Sequence, residues 1–158
     1  MRPSPAAGAP HAGAHGGHNP RASGPGRLII ALYAVFVIGS LSRAAVQIAT
    51  RFDEAPLAYS LSAVAGVIYV VAAVSLAVRG ERAWWVSLVA ISTELVGVLS
   101  VGLWSVLAPS AFPDETVWSG FGSGYLYIPL VLPLVGLWWL WTTRPGRSAD
   151  RPGRSDSV

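Results

Sequence analysis

One apolar run constrains the fold of this chain more than any other feature. It extends from Trp84 to Leu107, WWVSLVAISTELVGVLSVGLWSVL, and its only ionisable side chain is Glu94, close to the middle. As an α-helix rising ~1.5 Å per residue, the run is long enough to cross the ~30 Å hydrocarbon layer of a bilayer. Tryptophans stand near both of its ends, where lipid headgroups would lie. The run therefore predicts a transmembrane helix.

The carboxyl group of Glu94 opposes insertion of this helix but does not prevent it. Twelve Leu, Ile and Val residues of the run favour insertion. Each contributes ~0.3 to 0.6 kcal/mol, whereas one central carboxylate costs ~3 kcal/mol. Insertion remains favourable, and the cost of the carboxylate predicts that Glu94 faces a polar partner inside the protein.

Three further apolar runs, at residues 28–48, 57–78 and 124–143, accompany the run at 84–107 in a chain of 158 residues. Because the chain is 53% hydrophobic and only 12% charged, it is too apolar for an ordinary soluble domain. The four runs predict an all-α membrane protein, a four-helix transmembrane bundle over residues 28–143. Cysteine is absent, which excludes disulfides, thiolate catalysis and cysteine-bound metals.

Both ends of the chain are polar tails that have little to bury. Residues 1–27 are mainly Pro, Gly and Ala, and residues 144–158 repeat the sequence RPGRS, so both tails are predicted to be disordered. His11, His15 and His18 lie within one short stretch of the first tail and could chelate a divalent metal. We prefer the alternative of a low-complexity tail that happens to contain histidine.

The distribution of arginine predicts the orientation of the bundle. With four spans, only Arg51 lies in a loop on the side opposite the two termini. By the positive-inside rule, both termini are predicted to be cytoplasmic in a bacterial inner membrane. This topology explains the net charge of +3 better than binding of nucleic acid does. The arginine-rich tails could also contact anionic lipid. The arginines on the terminal side are Arg2, Arg21, Arg27, Arg79, Arg82, Arg144, Arg147, Arg151 and Arg154.

A second charge, Arg43, is predicted to lie ~7 Å inside the apolar layer, near the outer end of the first helix. Its side chain could extend to the outer headgroups or turn into the bundle. Counting residues along the helices places Glu94 at the midplane and Tyr69 within ~3 Å of that level. We therefore expect one intramembrane polar cluster of Arg43, Gln47, Tyr69 and Glu94. Such a cluster either holds the helices in register or carries protons or a solute.

The longest connection, residues 108–123, contains acids, glycines and several large apolar side chains. Phe112, Val117, Trp118 and Phe121 are predicted to lie on the membrane surface. The fourth helix is predicted to begin at residue 124 and to bend in its outer half, because it contains prolines. The two prolines are Pro129 and Pro133.

The segment FPDETVWSGFGSGYLYIPLVLPLVGLWWL, at residues 112–140, resembles small uncharacterised four-span integral membrane proteins of actinobacteria. The resemblance covers the four spans and neither tail. It implies a four-span membrane fold. It implies no activity, cofactor or site residue.

The sequence also limits the chemistry that the bundle can support. No histidine lies in any predicted span and the chain has no lysine, which excludes a bis-histidine haem and a retinal Schiff base. No cofactor is expected. An enzyme would have to work with the outward carboxylates alone, and nothing in their spacing forms a nucleophile and base pair. We therefore expect a non-enzymatic membrane component, embedded in the lipid bilayer, that acts through helix packing or partner binding, either as a homo-oligomer or with another membrane protein. The alternative is a small proton-coupled or ion-conducting transporter centred on Glu94 and Arg43.

Overall fold

The computed structural model describes residues 24–78 and 80–144, and this part of the chain folds into helices without any strand. Short 3₁₀ segments occur between the four α-helices. The all-α fold predicted from the four apolar runs is confirmed. The helices are α1 (Pro25–Arg51), α2 (Pro56–Ala77), α3 (Glu81–Leu107) and α4 (Ile128–Thr142), and the 3₁₀ segments are Phe52–Glu54, Pro109–Ala111 and Ser119–Tyr125.

Each helix packs against its neighbours in the chain, and α4 also packs against α1, which closes a four-helix bundle. We call the end at which α1 begins and α4 ends the terminal end. The opposite end, which carries the connection 108–127, is called the loop end. Three of the helices begin with a proline in the first turn, where the missing N–H would have no helical partner in any case.

The chain is a multi-pass membrane protein. Segment Pro25–Glu54 and helices α2 and α3 are each long and apolar enough to cross a membrane. Helix α4 has 15 residues, or ~22 Å, and reaches the length of a span only together with Ser119–Tyr125, from which it is bent by 99°. Many large apolar side chains point outward on all four helices, as expected where lipid surrounds the bundle. Exposed Trp85 and Trp104 on α3 lie ~28 Å apart along the helix, which matches the thickness of the hydrocarbon layer.

The faces between helices are lined with small residues, which lets the backbones approach closely. A Cβ on Gly66 of α2 would lie 2.5 Å from Cδ2 of Leu41 on α1, so a larger residue here would displace the Leu41 side chain. Tyr59, Ser62 and Tyr69 on the same face of α2 are also buried. The face of α2 that carries its small and polar residues is therefore the face that packs against the other helices.

The fourth helix differs from the prediction. It begins at Ile128 rather than at residue 124, and Pro129 lies in its first turn. The sharp bend lies before the helix, at Leu126 and Tyr127, whose φ angles of 56° and 58° are left-handed. Neither proline lies at this bend, since Pro129 is in the first turn of α4, where it breaks no helical hydrogen bond, and Pro133 lies further along the helix. Both predicted tails, with His11, His15 and His18, lie outside the described residues apart from residues 24–27 and 144.

Candidate functional site

Glu94 lies on the inward face of α3 and is completely enclosed, with an exposed fraction of 0%. The hydroxyl of Tyr33 on α1 donates a hydrogen bond of 2.6 Å to its Oε2. Its other oxygen, Oε1, has no hydrogen-bond partner among the described residues. The carboxyl group therefore lies in the middle of the bundle, where Oε2 accepts a hydrogen bond from a neutral donor and Oε1 accepts none from the described residues.

Aromatic rings surround this carboxyl group on the side of α1 and α2. The ring centroids of Tyr33 and Tyr69 are 6.1 Å apart, and Phe36 packs edge-on against Tyr69 at 5.7 Å. On the side of α4, a Cβ on Gly136 would lie 3.6 Å from the Tyr33 hydroxyl and 3.2 Å from Ile91. The tighter of the two contacts is with Ile91, so the glycine lets α4 lie close to α3 at this level.

Trp118, from the connection at the loop end, is inserted into the bundle and is only 3% exposed. Its indole Nε1–H donates to the Tyr69 hydroxyl at 3.0 Å. Its ring lies on Gly97 of α3, where a Cβ would approach the ring to 2.7 Å. Because Gly97 is one turn from Glu94 on α3, the indole forms the layer of the core next to the carboxyl group on the side of the loop end.

A compact turn positions Trp118 for this insertion. The Thr116 hydroxyl accepts hydrogen bonds from the backbone N–H groups of Trp118 at 3.0 Å and Ser119 at 2.9 Å. In return, the Ser119 hydroxyl accepts from the N–H of Thr116 at 2.9 Å. These bonds satisfy backbone groups that would otherwise be buried without partners, so the turn can lie inside the bundle.

A second polar group, here called the loop-end cluster, joins the connection 108–127 to α1 and α2. Asp114 is its centre. Oδ2 of Asp114 accepts from the Tyr59 hydroxyl at 2.9 Å and from Nε2 of Gln47 at 3.2 Å. Arg43 lies 3.8 Å from Oδ1 of Asp114 and donates to the Tyr125 hydroxyl at 2.8 Å. The loop-end cluster consists of Arg43, Gln47, Tyr59, Asp114 and Tyr125.

The four residues predicted to form one cluster therefore lie in two groups, since Tyr69 packs against Tyr33 beside Glu94 whereas Arg43 and Gln47 lie in the loop-end cluster. Arg43 and Gln47 meet at Asp114 in the loop-end cluster, whereas Glu94 binds Tyr33 and Tyr69 binds Trp118. Arg43 needs neither Glu94 nor the headgroups, because the connection 108–127 brings a carboxylate to it.

Three residues at these sites were not predicted from the sequence. Tyr33 was not among the residues predicted to lie near Glu94, although its hydroxyl reaches that carboxyl group from α1. Trp118 was expected on the membrane surface, as were Phe112 and Val117, yet all three are buried. Asp114 was read only as an acid of an outer loop, and no sequence pattern indicated that this loop folds into the bundle.

The described residues contain no group of three His, Cys, Asp or Glu side chains that could hold a metal ion. Glu94 is separated from the acids of the loop end by the aromatic layer of Tyr69 and Trp118. The chemistry available to it is therefore that of a single carboxyl group, which can accept hydrogen bonds and hold or release one proton.

Comparison with known proteins yields no relative of this chain, since no family model, no curated protein and no solved structure matches it.

Proposed function

We propose that the chain is a non-enzymatic membrane component that acts by packing against a partner, either another copy of itself or another membrane protein. The observation that carries this proposal is the closure of the core, in which Tyr33, Tyr69 and Glu94 have no exposed surface. A closed core offers no site for a substrate. Contacts with other molecules are then made by the outer faces of the helices and by the two ends.

In this proposal the Tyr33–Glu94 bond serves the fold. It joins α1 to α3, which are not neighbours around the bundle, and so favours one register of the four helices. Buried polar pairs are best attested in this role. A hydrogen bond within a low-dielectric core is strong when both groups are placed to make it.

We also propose that both termini face the cytoplasm of a bacterial cell. Among the described residues, Arg27, Arg82 and Arg144 lie at the terminal end, and Arg51 lies at the loop end. Asp53, Glu54 and Glu115 accompany Arg51 at the loop end. The positive-inside rule favours the cytoplasm for the more basic side. Labelling of a single cysteine introduced near each end, in intact cells, tests this orientation.

Photo-crosslinking in native membranes tests the packing proposal. A photoreactive amino acid at Val96, which is exposed on α3, should give a discrete crosslinked product, whereas one at buried Val98 should give none. The same probe is then placed on the exposed faces of α1, α2 and α4. Products from one face support a defined partner. Equal products from all faces, or no products from any face, would contradict the proposal.

One observation favours a second candidate, a small proton-coupled or ion-conducting transporter. Oε1 of Glu94 is buried without a partner among the described residues, and intramembrane acids of this kind occur in proton pathways. Since Arg43 belongs to the loop-end cluster, this candidate depends on Glu94 alone. It predicts pH-dependent flux into proteoliposomes that is lost in Glu94→Gln and kept in Asp53→Asn. Flux no greater than that of empty liposomes would exclude it and leave the packing proposal standing.

A further inference from the structure

A groove between α3 and α4 opens at the terminal end of the bundle. Its volume is about 350 Å³, and it is lined by Trp84, Leu88, Leu137, Trp138, Trp141 and Arg144. Leu88 and Leu137 lie at the end of the groove that is farther into the membrane. Arg144 lies at the other end, where α4 ends. The groove therefore has an apolar part inside the hydrocarbon layer and a cation at its mouth.

The guanidinium group of Arg144 is held by two tryptophan rings. Its Cζ lies 5.4 Å from the centroid of Trp84 and 5.8 Å from that of Trp141, within the range of cation–π attraction. Trp84 is itself fixed, because its Nε1–H donates to the carbonyl oxygen of Leu140 at 3.0 Å. The cation at the mouth of the groove is thus positioned by the core of the bundle.

No carboxylate of residues 24–78 or 80–144 lies within salt-bridge distance of Arg144, since the ion pair in these residues joins Arg43 to Asp114. A guanidinium group carries five N–H donors, and those of Arg144 are not paired with any carboxylate of the described residues. These donors form the planar fork that binds phosphate with two parallel hydrogen bonds. A phosphate group would supply a negative charge that residues 24–78 and 80–144 do not place beside Arg144.

The depth of the groove indicates where such a phosphate would come from. Trp85, Trp138 and Trp141 are all exposed at this end of the bundle, and exposed tryptophans mark the headgroup level of a membrane. Arg144 therefore lies at the level of lipid phosphates, and Leu88 lies ~6 Å deeper than Trp84 along α3. A phospholipid at this level has its phosphate near Arg144 and its acyl chain deeper in the membrane, near Leu88. This order matches the cation at the mouth of the groove and the apolar part below it.

We propose that this groove binds one anionic phospholipid. Its phosphate is bound by the in-plane N–H groups of Arg144, and the upper part of one acyl chain packs between Leu88 and Leu137. The volume lies near the lower limit for ligand pockets, ~300 Å³, and is too small for a helix. An anionic lipid is favoured over a zwitterionic one because the lining of the groove has no acidic side chain that could pair with a cationic headgroup.

Native mass spectrometry of the full chain in detergent tests this site, with phosphatidylglycerol and phosphatidylcholine as the two probes. Arg144→Gln should weaken binding of phosphatidylglycerol about fivefold, the effect of one arginine held near a membrane surface. Arg82→Gln is the matched control, because Arg82 is exposed in the first turn of α3 at the same end but does not line the groove. It should leave binding within about twofold of the wild type.

A second variant tests the apolar part of the groove without changing any charge. Leu137→Phe fills the groove and should also weaken binding of phosphatidylglycerol, while thermal unfolding shows that each variant remains folded. Equal losses from Arg144→Gln and Arg82→Gln, or equal affinity for phosphatidylcholine, would overturn the proposal. Displacement of the lipid by millimolar inorganic phosphate would also overturn it, because it would assign the site to a free anion.

Discussion

Tyr33 on α1 and Glu94 on α3 are joined through the centre of the bundle by a hydrogen bond of 2.6 Å. Neither side chain has any exposed surface. Because α1 and α3 do not follow one another in the chain and are not adjacent around the bundle, this bond links parts of the structure that helix–helix packing alone does not join directly. The bond replaces water as the partner of the buried carboxyl group.

Replacing Tyr33 with Phe removes the donor and keeps the ring. The carboxyl group of Glu94 then has no hydrogen-bond partner among the described residues. An unsatisfied buried polar group costs about 1 to 3 kcal/mol, so Tyr33→Phe should lower the free energy of unfolding by that amount. Thermal or SDS-induced unfolding of the purified protein in detergent measures the loss. In a Glu94→Leu background the same substitution should cost much less, and an equal cost in both backgrounds would show that the bond contributes nothing.

The sequence predicts the helices of this protein well, and the reason is physical. In lipid, every backbone N–H and C=O group needs an internal partner, so an apolar run as long as 84–107 has to be helical. The same constraint acts on 28–48 and 57–78. In the structure, α1 extends from Pro25 to Arg51 and α3 begins at Glu81. Both helices are longer than the apolar runs, because backbone hydrogen bonding can continue beyond the hydrocarbon layer.

The partner of Glu94 was harder to predict, because it depends on small displacements along four helices. Counting residues places the backbone of each residue at a depth, whereas the contact is made by the ends of two side chains. Tyr33 and Glu94 differ in depth at the backbone, and the two side chains together span that difference. A polar partner for Glu94 could be predicted, but the identity of its donor could not be predicted by counting alone.

The loop-end cluster could not be predicted, because it depends on where α4 begins. The chain breaks at Leu126 and Tyr127, two non-glycine residues with positive φ angles, and neither residue type indicates such a break. With α4 shortened to 15 residues, the segment before it can fold into the space at the loop end. Asp114 and Trp118 reach Arg43 and Tyr69 only because of that geometry.

Gly97 should tolerate no larger residue, because the ring of Trp118 lies directly on it. A Cβ at this position would be 2.7 Å from the ring, whereas a Cβ on Gly39 of α1 would meet no atom within 4 Å. Gly97→Ala should therefore lower the free energy of unfolding by about 1 to 3 kcal/mol, the usual cost of overpacking. Gly39→Ala should be neutral or slightly stabilising. Unfolding in detergent compares the two variants, and equal stability would mean that Trp118 does not pack on α3.

Asp114 should anchor the connection 108–127 to the bundle. Asp114→Ala removes the acceptor of Tyr59 and Gln47 and the carboxylate beside Arg43, and should lower the free energy of unfolding by about 1 to 3 kcal/mol. Most of this loss comes from the hydrogen bonds, since side chains that are 39% and 38% exposed form a weak ion pair. Limited proteolysis should cut the connection faster in this variant. Asp53→Ala, in an exposed turn at the same end, should change neither stability nor cleavage.

Trp118 should keep water out of the loop-end half of the core, and the absence of cysteine from the chain allows a direct measurement. Ser62 lies on the buried face of α2 between Tyr59 and Tyr69, so Ser62→Cys places one thiol in the half of the core that Trp118 closes. A charged, membrane-impermeant thiol reagent should label this cysteine slowly, and several times faster when Trp118→Ala is added. Ser87→Cys places the thiol in the terminal half of the core, where Ser87 is buried beside Ser75, and its labelling should not respond to Trp118→Ala. Faster labelling at both positions would indicate general loosening of the bundle, and unchanged labelling at Ser62→Cys would show that Trp118 is not what closes this half of the core.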